Sequence, residues 1–95
     1  MSNIHRQDDL RACGATTIVS GQSTVFISGK LVSVEGDKNT DGGGDLIASG
    51  SSVTINGKKI IVQGDSASPD NKCPTHHGSH CSPMATSGSS TVQAY

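Results

Sequence analysis

The chain has 95 residues, of which 32% are hydrophobic, with one Phe, one Tyr and no Trp. So few large side chains make a conventional core marginal, and folding with the help of a metal, a partner or both is expected. Only 16% of residues are charged and the net charge is -1, which excludes a charge-rich disordered tail and a broad electrostatic grip on nucleic acid. No apolar run approaches the length of a membrane span. No secretory apolar region follows the N-terminal residues, so synthesis in the cytoplasm is expected.

In chain order, the first patterned stretch is Ile4-His5-Arg6-Gln7-Asp8-Asp9. The next, Gly21-Gln22-Ser23-Thr24-Val25-Phe26-Ile27-Ser28, runs into Gly29-Lys30-Leu31-Val32-Ser33-Val34-Glu35-Gly36-Asp37. A second copy follows: Gly50-Ser51-Ser52-Val53-Thr54-Ile55-Asn56, one residue shorter, then Gly57-Lys58-Lys59-Ile60-Ile61-Val62-Gln63-Gly64-Asp65. The β-branched runs favour pleated strands, and Ser28-Gly29 and Asn56-Gly57 suit hairpin turns that need positive φ. Each copy therefore reads as a β-hairpin.

A third copy begins at Gly88-Ser89-Ser90-Thr91-Val92 and breaks off at Tyr95. Its missing half is found at the other end of the chain: Ile4 to Asp9 fits the slot of Val32 to Asp37, with Asp8 where the glycine stands. The repeat is permuted, and completing it requires Ile4 and Tyr95 to be close in space. This predicts three hairpin units around a pseudo-threefold axis, circularly closed, in a single all-β domain spanning residues 1–95.

Three crossings join the units. Counting four residues on from Asp9 and Asp37 reaches Cys13 and Asp41, and counting eight back from Gly88 reaches His80. These side chains are expected to converge near the axis, and all three types bind metal. The third crossing adds Cys73, His76, His77 and Cys81. Zinc takes four N, S or O donors in a tetrahedron, so the candidate ligands are Cys13, Asp41, His76, His77 and His80. Cys73 and Cys81 are held in reserve. His5 is also a reserve, since its slot matches Ser33 in a strand. Three cysteines would leave one over in a disulfide framework, and a reducing compartment disfavours disulfides, so cysteines clustered with histidines point to metal. Gly42-Gly43-Gly44 lacks the following Lys and helix of a phosphate loop and reads as a tight crossing turn. No carboxylate pair or nucleophile motif supports catalysis, and no enzyme activity is expected.

The repeated Gly-Ser-Ser-Thr-Val and Gly-Lys…Gly-Asp units, with Cys13-Gly14-Ala15-Thr16-Thr17, resemble the PAAR-repeat proteins over nearly the whole chain. The resemblance implies a small cone with a zinc ion near its apex. Such proteins cap the trimeric β-helical spike of contractile injection machines, in phage tails and type VI secretion systems, one cap per trimer. They are made in the cytoplasm, carried at the spike tip and brought into transient contact with the target membrane. In the family, three His and one Cys typically hold the metal; Cys13 and His80 fall on matching positions. This sequence departs at Asp41, where similar proteins often have His, and at Asp8, where they have Gly. Iron would fit similar donors. The competing reading is a stand-alone small zinc-binding module.

Overall fold

The computed structural model describes residues 2–49, 53–71, 73, 81–89 and 92–94. Among these, the strands are of two residues each: β1 (Ser2–Asn3), β2 (Thr17–Ile18), β3 (Phe26–Ile27), β4 (Lys30–Leu31), β5 (Lys38–Asn39), β6 (Thr54–Ile55), β7 (Lys58–Lys59) and β8 (Gln93–Ala94). All pairs are antiparallel. β3 pairs with β4 and β6 with β7, each across a two-residue turn. The turn residues have positive φ throughout: 53° and 80° at Ser28 and Gly29, 54° and 82° at Asn56 and Gly57. That is the twist-matched hairpin geometry which Asn-Gly pairs favour.

The third hairpin is made from the two ends of the chain. Ser2 pairs with Ala94 and Asn3 with Gln93. The Ile4 N–H then donates to the Val92 carbonyl at 3.2 Å, as Val32 does to Val25 at 3.0 Å and Ile60 to Val53 at 3.1 Å. Tyr95 lies outside the described residues.

The strands are short because each chain changes partner after two residues. Beyond β4, Val32 bridges Arg6 and Val34 bridges Ile60; Ile4 bridges Val62. Position one of each repeat thus meets position three of a neighbour. The central residues form a ring of donors: His5 N–H to Ile61 carbonyl at 2.9 Å, Ile61 to Ser33 at 3.0 Å, and Ser33 back to His5 at 3.0 Å. Ile4, Val32, Val34, Ile60 and Val62 pack together around this ring as one apolar cluster.

Each repeat ends in an aspartate that fastens its own turn. Asp9, Asp37 and Asp65 accept from the backbone N–H of Arg6, Val34 and Val62 at 2.8, 2.9 and 3.0 Å. Between them the chain turns through the left-handed region at Asp8, Gly36 and Gly64, with φ of 71°, 91° and 99°. Asp is among the few side chains that tolerate this region, which explains how Asp8 replaces the glycine.

A second layer is built by the crossings. Backbone N–H groups of Thr17, Leu46 and Ala85 donate to the carbonyls of Asp9, Asp37 and Asp65 at 3.0, 3.0 and 2.9 Å. Here β2 pairs with β5, Arg11 bridges Ala85 and Leu46 bridges Ala67. Leu46, Ile61, Ala67 and Ala85 form a second, smaller apolar cluster. Small side chains leave polar groups to fill the rest of this layer.

Candidate metal centre

The crossing layer is held by a buried arginine. Arg11 Nε donates to Thr17 Oγ1 at 2.6 Å, Nη1 to the carbonyls of Gly44 and Pro83, each at 2.9 Å, and Nη2 to the Asp37 carbonyl at 3.3 Å. One guanidinium so ties residues of all three crossings. Burial pushes its pKa down to about 10, against the opposing pull of Cys13 and the carboxylates of Asp37, Asp70 and Asp45. It therefore stays charged at neutral pH, close to the cluster described next.

Cys13 lies on the turn that follows Arg11, closed by Gly14 N–H donating to the Arg11 carbonyl at 3.0 Å. Asp41 follows β5, its N–H donating to Asn39 Oδ1 at 2.9 Å. Gly42, Gly43 and Gly44 then run through three consecutive positive φ values of 85°, 80° and 69°. This is the tight crossing turn expected there. A Cβ on Gly44 would sit 2.6 Å from the Asn39 amide nitrogen, so the close approach also needs glycine. Gly43 bridges Asp70, and Asn71 N–H donates to the Gly42 carbonyl at 2.7 Å. The third crossing is thereby laid against the second.

These turns bring Cys13 Sγ and the carboxylates of Asp41 and Asp70 within 4.8 Å of one another. The Cys13 thiol donates to Asp70 Oδ2 at 3.6 Å, and Asn39 Nδ2 donates to the same oxygen at 3.1 Å. Asp70 is only 4% exposed. Burial pushes the Cys13 pKa up, and the hydrogen bond to Asp70 with the charges of both aspartates adds to the rise. A cation reverses that balance, because it stabilises the thiolate and is drawn by the same carboxylates. A tetrahedral zinc with bonds of 2.0–2.3 Å spaces its donors roughly 3.3–3.7 Å apart. The Cys13–Asp70 pair already has that spacing, so the group can hold a metal ion.

Of the expected ligands, Cys13 and Asp41 stand together here, whereas His76, His77 and His80 lie outside the described residues. Asp70 was not anticipated. Its signal was available: four residues on from Asp65 is Pro69, and Asp70 is next to it. Two expectations are corrected. Cys73 and Cys81 are joined in a disulfide, so they are not reserve thiolates, and the odd cysteine is Cys13, which stays free. The two cysteines are eight residues apart in the sequence, and the Cys73 N–H donates to the Asp70 carbonyl at 3.1 Å. His5 is not a ligand in reserve. It is fully buried, with Nδ1 2.6 Å from the Ser87 carbonyl and Nε2 2.6 Å from Thr17 Oγ1.

Neither a protein-family model nor a curated protein sequence matches the chain.

Proposed function

We propose that the chain is a metal-pinned tip that caps the trimeric β-helical spike of a contractile injection machine, a phage tail or a type VI secretion system. The observation that carries this reading is the threefold recurrence of the hydrogen bonds, unit by unit, through both layers. A trimeric partner offers three equal docking positions, and a single chain meets them equally only if it repeats three times. The three hairpins present Val25, Val53 and Val92 at matching positions, 39%, 45% and 38% exposed. Burial of these apolar side chains on the blunt end of a β-helix also covers strand edges that otherwise invite pairing.

The extents of 34 × 23 × 22 Å fit a body with threefold symmetry about its long axis, since such symmetry makes the two transverse dimensions equal. In this reading the chain closes into a cone. The hairpins form its base and the crossings its apex, where the metal pins Cys13, Asp41 and Asp70. His76, His77 and His80 are assigned as the source of further donors, and zinc as the ion, with iron fitting the same set. The role is mechanical: a rigid point passes sheath force to the target envelope. No bond is made or broken, and no nucleic acid is bound.

The test is a set of substitutions on the base. Val25→Asp, Val53→Asp and Val92→Asp together are expected to abolish binding to a trimeric β-helical spike fragment while the chain keeps its metal. Unchanged binding would remove the base from the interface and the cap reading with it. Metal retention without any spike binding by the unaltered chain would favour the free metal-binding module.

A further inference from the structure

His5 sits at the centre of a directed chain of hydrogen bonds that only a neutral imidazole completes. The Ser87 carbonyl can only accept, so Nδ1, 2.6 Å away, carries the proton and donates. Nε2 is then an acceptor, and Thr17 Oγ1 at 2.6 Å donates to it. Thr17 Oγ1 in turn accepts from Arg11 Nε at 2.6 Å. Every donor on this path has an acceptor, and every residue that carries a side chain in it is buried.

We propose that His5 is a proton-sensitive latch between the two layers of the fold: proton uptake on Nε2 reverses its hydrogen bond to Thr17, strands the threonine hydrogen and loosens the crossing layer that Arg11 holds. A proton on Nε2 turns it into a second donor aimed at Thr17 Oγ1. The threonine hydrogen then has no acceptor on this path, and an imidazolium shares one oxygen with a guanidinium. The groups around the ring have been apportioned already. Asp9 is engaged by Arg6 through N, Nε and Nη2, and Asp65 by the Val62 N–H. Asp37 receives Ser33 Oγ, Val34, Ser20 and Gly21. Asp9 and Asp65 pull the proton onto His5 and Arg11 repels it, but desolvation dominates and holds the pKa below the ordinary histidine value.

The linkage has a definite sign. The unfolded chain takes up this proton near pH 6.5 and the folded chain does not until lower pH. Stability from the latch is complete above about pH 6.5 and falls up to about tenfold in equilibrium constant per pH unit below it. The loss starts where Arg11 acts. The amides of Thr40, Leu46 and Thr86 belong to the crossing layer, those of Ser33 and Ile61 to the ring.

The experiment is nitrogen-detected imidazole NMR of the full chain from pH 8 to 4, with amide exchange followed on the same samples. His5 is identified by its contacts to Thr17 and Ile61. The expected result is a neutral Nδ1–H tautomer that takes up its second proton only below the ordinary histidine range. Exchange at Thr40, Leu46 and Thr86 should accelerate at least tenfold with the same midpoint, ahead of Ser33 and Ile61. Two results would overturn the proposal. One is a His5 that titrates near 6.5 with amide protection unchanged. The other is a crossing-layer opening whose midpoint is unrelated to that of His5.

Discussion

The Cys13 thiol meets the Asp70 carboxylate at 3.6 Å across 57 residues of chain. No local preference brings them together. The contact depends on the three crossings being stacked by the repeat, and on Asn39 turning the carboxylate toward the thiol. If the group is a metal centre, Asp70→Ala and Cys13→Ala should each lower bound metal at least tenfold, as loss of one of four donors does. Asn39→Ala should weaken binding less, since Asn39 only orients a ligand. Elemental analysis after dialysis against a weak chelator measures all three.

Among the described residues, Arg11 carries the crossing layer without a carboxylate hydrogen-bonded to it. Its bonds go to Thr17 and to the carbonyls of Gly44, Pro83 and Asp37. Arg11→Met removes the donors and leaves those acceptors buried, at a cost of about 3 kcal/mol or more. Arg11→Lys is not expected to rescue it, because an ammonium cannot reproduce the planar fork. Urea denaturation of the two variants is the check.

The three turn positions separate conformational strain from packing. A Cβ at Gly36 or Gly64 would meet nothing within 4 Å, so Gly36→Ala and Gly64→Ala should cost only the left-handed penalty, roughly 1–2 kcal/mol each. Asp8 already stands at φ 71°. Asp8→Gly relieves that strain but adds freedom to the unfolded chain, two effects of about 0.5–1 kcal/mol, so its net change should stay within about 1 kcal/mol. Denaturation midpoints of the three variants test the ordering.

The pairing of Ser2–Asn3 with Gln93–Ala94 makes the position of the chain ends arbitrary. A permutant with the ends joined by a short flexible linker and reopened between Asn56 and Gly57 should fold with the same ring. Retained protection of the Ser33 and Ile61 amides reports success, and loss of that protection would mean that the Asn56-Gly57 connection, unlike that of the third hairpin, has to be covalent.

Much of this arrangement is legible in the sequence because the spacing repeats. The repeat spacing puts Ile4, Val32 and Ile60 into one set, and these are the residues whose bridges to Val62, Arg6 and Val34 form the ring. The Ser28-Gly29 and Asn56-Gly57 turns were equally plain. Asp70 is hidden because the third crossing is longer: counting back from Gly88 reaches His80, and only counting on from Asp65 leads to the neighbourhood of Asp70. The Cys73–Cys81 disulfide runs against the expectation from a reducing compartment, and its signal in the sequence is the closeness of the two residues. The buried role of Arg11 has no local signal. An arginine two residues beyond a turn reads as solvated until three carbonyls are seen to surround it.

The most direct measurement is the native mass of the chain expressed together with a trimeric β-helical spike fragment, with metal counted on the same sample. The cap account predicts one copy of this chain and one metal ion for every three spike chains. Failure to associate, or three copies of the chain on one trimer, would contradict it.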